Sequence, residues 1–211
     1  MNQQESSPCG EFPTLKVGVL ALQGSFEEHI EVLKSLGVEA REVRLPEQLH
    51  DLDGLIIPGG ESTTIGKLAV DFGLLQPLQD FGRKNAVWGT CAGAILLSKD
   101  VHRDQPLLEL MDITVDRNAF GRQVASFETE LDIPALDEVS APGTPFHGVF
   151  IRAPLITHVE GDAEILASLP DGRIVAAQQD HLLATAFHPE LTDDDRVHRY
   201  FLHLVREKKT G

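Results

Sequence analysis

Three features of this 211-residue chain predict an α/β fold, a mostly parallel sheet covered by helices on both faces. Short, wholly apolar runs stop at glycine, segments with helical apolar spacing follow them, and the alternation repeats through the N-terminal half, as in βαβ units. Residues 16–22 (KVGVLAL) open as a strand ended by Gln23-Gly24, after which Phe26, Ile30, Leu33 and Leu36 recur at helical spacing. Gly37 closes that helix. Residues 38–45 read as a second strand, and residues 54–57 (GLII) as a third, buried one halted by Pro58-Gly59-Gly60. Helices are expected near residues 62–72 and 74–85. Residues 86–88 form a fourth strand, leading through Gly89-Thr90-Cys91-Ala92-Gly93 into an apolar helix over 94–99.

The second half changes character. Strands are expected over 113–117, 124–133 and 149–151 with few helices between them, and residues 140–145 (SAPGTP) are a loop. Pro170-Asp171-Gly172 is a hairpin turn between strands at 164–169 and 173–178, and residues 182–187 supply another strand. The last helix begins around Asp193-Asp194-Asp195 and runs to Lys208-Lys209, charges that suit its two ends.

Composition narrows the function. With 42% hydrophobic and 24% charged residues the chain is an ordinary globular sequence. Eighteen basic against thirty-three acidic residues leave a formal charge of −15, which repels phosphate backbones and anionic membranes. The two cysteines, Cys9 and Cys91, can build neither a disulfide framework nor a four-cysteine metal site. Residues 1–12 contain no Lys, Arg or apolar run, so no signal peptide is expected, and a reducing cytoplasm is the expected location.

Gly89 to Gly93 is a G-x-C-x-G between strand and helix, the cysteine form of a nucleophile elbow. Helix N-termini and histidine neighbours bring cysteine thiols down from near ~8.5 and favour the nucleophilic thiolate. A buried, inert cysteine in a tight glycine turn has the same pentapeptide. An acyl-transfer thiolate needs a histidine and a group that orients it. His188, in Phe187-His188-Pro189-Glu190, closes an apolar strand; in extended geometry it and Glu190 point the same way, although such a triplet is also a common satisfied turn. The other histidines read as inert. His198 and His203 are five apart, His29, His50 and His102 lack ligand-like neighbours, and His147, His158 and His181 read as turn or surface residues. Asp193 to Asp195 is a helix start, and no metal site is expected. The loop Pro58 to Thr64 (PGGESTT) can aim backbone N–H groups into the sheet-end crevice, with Gly60 and Ala92 as candidate oxyanion donors, although an ordinary turn has the same form. It lacks the lysine spacing of a Walker loop.

Together the G-T-C-A-G elbow, the H-P-E triplet and the P-G-G-E-S-T loop resemble class I glutamine amidotransferases, whose flavodoxin-like sheet is three-layered and bears an added antiparallel hairpin region. LALQG (20–24), PGGESTT (58–64), RNAFGRQ (117–123), GVFIRA (148–153) and FHPELT (187–192) narrow this to the glutaminase-subunit family of pyridoxal 5′-phosphate synthase. Residues 1–13 read as a flexible tail outside the resemblance, and residues 14–211 as one glutaminase domain. It implies Cys91 as nucleophile, His188 as general base and acid, and Glu190 as its orienting partner. It also implies that L-glutamine is held by Gly60, Glu61, Ser62, Arg117, Ile151 and Arg152, with no cofactor. The implied partner is a synthase subunit of the PdxS family, in a large hetero-oligomer, that uses the ammonia to make pyridoxal 5′-phosphate. A glutaminase subunit of another synthase, a cysteine hydrolase of the same architecture, a silent regulatory partner and a glutamine sensor are the competing readings.

Overall fold

The computed structural model describes Phe12, residues 15–117 and residues 126–210. The rest of the expected tail with Cys9, residues 118–123 of the RNAFGRQ motif and the first two residues of the strand expected at 124–133 lie outside the described residues. In chain order the elements are β1 (Lys16–Leu20), α1 (Phe26–Ser35), β2 (Glu39–Val43), β3 (Gly54–Ile57), α2 (Ser62–Asp71), α3 (Leu75–Gly82), β4 (Ala86–Thr90), α4 (Ala92–Leu97), β5 (Ser98–Asp100), β6 (Met111–Asp116), β7 (Ser126–Leu131), β8 (Phe146–Ile151), β9 (Leu155–Val159), β10 (Glu164–Ser168), β11 (Ile174–Gln179), β12 (Leu182–Thr185) and α5 (Arg196–Thr210). Short 3-10 turns cover Pro46–Leu49, Pro134–Glu138 and Pro189–Leu191.

The central sheet runs β2-β1-β3-β4-β12 with every one of these pairings parallel. The inner strands β1, β3, β4 and β12 are buried on both sides because both faces are covered, while the edge strand β2 exposes Glu39, Arg41 and Glu42. In β3, Leu55 and Ile57 face α2, α3 and α4, where Ile65, Ala69, Leu78 and Ile95 meet them, while Ile56 faces the opposite core. That second core holds Ile30 and Leu33 of α1, Phe201 and Val205 of α5, Trp88 of β4, and Phe12 at the end of the expected tail. Trp88 is 0% exposed, and removing such a side chain typically costs about 3–5 kcal/mol.

Beyond β12 the sheet continues as β11-β9-β6-β5 and turns largely antiparallel, with β10 pairing β11 across the expected Pro170-Asp171-Gly172 turn. Gly172 adopts φ +86° there, and its N–H donates to the Leu169 carbonyl at 2.8 Å. β7 and β8 form a separate antiparallel pair. Phe127 and Phe150 stack across it at 4.5 Å, and Phe150 meets Phe187 at 5.7 Å, which ties this ribbon to the segment before His188.

The helix expected over 94–99 begins at Ala92 and ends at Leu97, where Ser98 Oγ donates to the Ile95 carbonyl at 2.7 Å and the chain leaves as β5. β9 was not anticipated, since of its five residues only Ile156 is buried and no alternation marks it. α5 starts at Arg196, one residue after the acidic run; Asp194 Oδ1 accepts its N–H at 3.0 Å, so this part of the run is a helix start, as expected. No helix among the described residues is long and apolar enough to cross a membrane.

Candidate active site

Parallel neighbours end at the same edge, so β1, β3, β4 and β12 deliver four loops to one crevice, the place where open α/β sheets carry their sites. From β4 comes Cys91, between the strand and α4, at φ +48° and ψ −101°, a conformation that non-glycine residues adopt rarely and at a cost. Two backbone bonds hold it there: its N–H donates to the Thr185 carbonyl of β12 at 2.7 Å, and its carbonyl accepts from Ile95 at 3.3 Å. Cys91 is 7% exposed and the free cysteine of the described residues.

From β12 comes His188, whose Nδ1 lies 2.8 Å from Glu190 Oε1. The geometry differs from the extended pair expected, because Pro189 starts a 3-10 turn that folds Glu190 back onto the imidazole. His188 N–H donates to the Val149 carbonyl at 2.8 Å, fixing this turn against β8. Burial by itself pulls the imidazole down; hydrogen bonds and charge from Cys91 and Glu190 outweigh it and push His188 up to about 10. Burial opposes the Glu190 charge too, yet the His188 hydrogen bond, the charges of His29 and His188 and the Ser25 hydroxyl bring it down to about 2.

From β3 comes the loop carrying Gly59, whose backbone lies against both groups. A Cβ there would sit 2.5 Å from His188 Cε1 and 3.4 Å from Cys91 Cβ. Gly60 and Glu61 follow it, and Gln23, from the loop after β1, accepts the Glu61 N–H at 2.7 Å through Oε1. Ser62 is buried at the first turn of α2. Arg117, at the end of β6, donates through Nη1 to Thr63 Oγ1 at 2.8 Å and Gln105 Oε1 at 3.1 Å, and its Nη2 pairs with Glu61. Ile151 and Arg152 stand at the exposed end of β8, two and three residues past the Val149 carbonyl that binds His188, and Arg152 has φ +45°. Ala92 is the first residue of α4.

The structure thus brings Cys91, His188 and Glu190 together beside Gly59, and groups Ser62 and Arg117 through Gln105 with Glu61 paired to Arg117. Sequence reasoning did not single out Ser25, Gln23 or Gln105. His29 and His198, expected to be inert, are 0% exposed and lie behind Glu190, with His29 Nε2 3.5 Å from Glu190 Oε2. The signal for both was a polar residue inside an apolar helical stripe, His29 between Phe26 and Leu33 and His198 beside Val197 and Phe201. His181 stands in the turn between β11 and β12, as expected, but is buried there at 9% exposure, with Nε2 2.9 Å from the Gly82 carbonyl.

A model of the SNO glutamine amidotransferase family matches residues 19–207. A relative from Herpetosiphon aurantiacus, named pyridoxal 5′-phosphate synthase subunit PdxT, is 60% identical over 195 residues, covering 90% of this chain and all of its own. A PdxT from Dehalococcoides mccartyi is 55% identical over 199 residues, covering 92% of this chain and 100% of its own. A crystal structure of a glutamine amidotransferase superposes with a TM-score of 0.83 at 50% identity, over 90% of this chain and 98% of that one. A Thermoplasma acidophilum structure described as one of the subunits of a GMP synthase, 20% identical over 93% of this chain and 96% of its own, shares the fold with a TM-score of 0.67. With the family model spanning most of its length and a strained elbow cysteine, histidine and glutamate at the sheet edge, this chain belongs to the SNO glutamine amidotransferase family and is an enzyme of that kind.

Proposed function

We propose that Cys91, His188 and Glu190 carry out the glutamine hydrolysis by which this amidotransferase, the glutaminase subunit of a pyridoxal 5′-phosphate synthase, makes ammonia. The observation that carries the roles is the grouping itself, in which Glu190 meets His188 Nδ1 at 2.8 Å while the His188 ring and Cys91 flank the same glycine, 2.5 Å and 3.4 Å from a Cβ placed on Gly59.

Cys91 Sγ attacks the side-chain amide carbon of L-glutamine, forming a carbon–sulfur bond and a tetrahedral oxyanion that the N–H groups of Gly60 and Ala92 receive. The imidazolium of His188 passes its proton to the amide nitrogen, the C–N bond breaks and ammonia leaves. His188, now neutral, takes a proton from water, whose oxygen attacks the thioester, and glutamate is released with the thiolate restored. Glu190 orients the ring and balances its charge in both half-reactions. Gly60, Glu61, Ser62, Arg117, Ile151 and Arg152 hold the substrate. An amino acid offers a carboxylate and an ammonium, and the Glu61–Arg117 pair at the head of α2, with Arg152, presents both complementary charges.

Ammonia serves a synthesis only if it reaches its acceptor before dilution and protonation, so the product goes to a synthase subunit docked on this chain in a large hetero-oligomer. The free thiol of Cys91 and the absence of a membrane-length helix among the described residues support a reducing, cytoplasmic setting. In the presence of the synthase subunit, Cys91→Ala is expected to lower ammonia release from glutamine by about 10³-fold or more with the circular dichroism spectrum unchanged. Residual turnover within tenfold of wild type overturns the assignment.

A further inference from the structure

Behind Glu190 lies a buried pair of histidines that the hydrolysis above does not use. Glu190 Oε1 is fully engaged, accepting from His188 Nδ1 at 2.8 Å and Ser25 Oγ at 2.7 Å. Oε2 has no hydrogen bond and faces His29 Nε2 at 3.5 Å, both side chains 0% exposed. The same nitrogen lies 3.3 Å from Thr90 Oγ1, the residue before the nucleophile, and His29 Nδ1 lies 2.9 Å from His198 Nε2 on α5. His198 Nδ1 has no partner. Burial pulls both imidazoles below the usual histidine range, which leaves one N–H on each ring at neutral pH.

Two arrangements of those N–H groups are available. If His29 donates from Nδ1, a nitrogen lone pair is set against a buried carboxylate oxygen, and His198 is left with an unpaired N–H at Nδ1. If His198 donates from Nε2 to His29 Nδ1, the His29 Nε2–H points at Glu190 Oε2 and Thr90 Oγ1, and the unpaired atom is only an acceptor, the milder defect. Electrostatics at low effective dielectric selects the second.

We propose that His29, held in its Nε2–H tautomer by His198, is a positioning residue of the triad. It gives the second oxygen of Glu190 a donor dipole, fixes the rotation of the carboxylate and thereby aims His188 at Cys91. This rests on the reading of Cys91, His188 and Glu190 as the triad. The titratable groups that act on His29 are Glu190 and His188 from the 3-10 turn and its approach, Glu28 on α1 and His198 on α5, while Thr90 and Trp88 face it from β4.

Ammonia release measured against pH with the synthase subunit present tests this. His29→Phe keeps a ring and removes the donor, and is expected to lower kcat by about 10–100-fold with KM within about twofold and to move the acidic limb of the kcat profile upward by about one pH unit. His29→Gln, whose amide N–H reaches the same oxygen, is expected to recover most of kcat and the wild-type limb. A His29→Phe enzyme with unchanged kcat and limb, or a His29→Gln enzyme as impaired as His29→Phe, overturns the proposal. Should the variants fail to fold, nitrogen-15 spectra of the wild-type imidazoles decide: a neutral Nε2–H ring at His29 supports it, and an Nδ1–H or doubly protonated ring overturns it. Cys91→Ser run alongside separates the two layers. Persisting turnover in Cys91→Ser removes the triad and this inference together, whereas an inactive Cys91→Ser beside an unaltered His29→Phe removes this inference alone.

Discussion

At the scale of single residues, the site depends on how little room surrounds His188. A side chain on Gly59 would strike the imidazole, its Cβ 2.5 Å from Cε1, and the loop has little freedom to retreat because the Gly59 carbonyl accepts the Ser25 N–H at 3.1 Å. Gly59→Ala should therefore rotate or displace His188 without touching the core. Misplacing a catalytic group by about 1 Å costs about 10²-fold in rate. Steady-state ammonia release should show that loss in kcat, with KM within a few-fold and the thermal midpoint within a few degrees of wild type. An alanine variant with wild-type kcat would mean that the ring has space to move, and that the close approach of loop and imidazole is incidental.

At the scale of elements, the elbow works because two glycines let β4, α4 and β3 approach at backbone distance. A Cβ on Gly93 would lie 2.0 Å from the Ile57 carbonyl oxygen, and one on Gly89 would lie 2.4 Å from the Gly93 carbonyl. Neither clash is with a flexible side chain. Gly93→Val should lift α4 from the sheet and destabilise the fold by more than about 3 kcal/mol, read by chemical denaturation. A variant within about 1 kcal/mol of wild type would show that α4 can stand off β3 and that the tight packing is dispensable. Glycine-bounded segments made most of the parallel half legible in sequence: at four or five residues the runs of β1, β3, β4 and β12 are too short for helices and fit strands buried on both faces. β5 and β9 carried no such mark, since three residues cannot show a period and β9 buries one side chain. Cys91, His188 and Glu190 were legible from local motifs, but the fold of the pair was not, because β12 ends at Thr185 and Pro189 opens a 3-10 turn. The partners of Glu190 were illegible for another reason. His29 and His198 are 169 residues apart, so only the packing of α1 and α5 on one face of the sheet brings them together.

At the scale of the whole molecule, these buried ionisable groups set how stability responds to pH, and their signs oppose one another. His188 is raised from 6.5 to about 10 in the fold, so its contribution is fully present below about 6.5 and is lost as pH rises through about 10. Glu190 is lowered from 4.5 to about 2, so its contribution is present above about 4.5 and is lost as pH falls through about 2. His29 and His198 are both lowered by burial, so they favour the fold above 6.5 and turn against it below, where the unfolded chain takes up their protons first. Above pH 6.5 the folded His188 holds a proton that the unfolded chain has given up, so its contribution shrinks as pH rises. Below 6.5 the unfolded state takes up protons at both His29 and His198 that the folded state refuses, so stability falls more steeply on the acid side. Urea unfolding followed from pH 5 to 10 should thus give a maximum near pH 6.5 with a steeper acid side. In His29→Gln that side should flatten by one proton's share of the slope, with the alkaline side retained. An acid side as steep in His29→Gln as in wild type would mean that His29 is already protonated in the fold, and the neutral imidazole behind Glu190 would have to be given up.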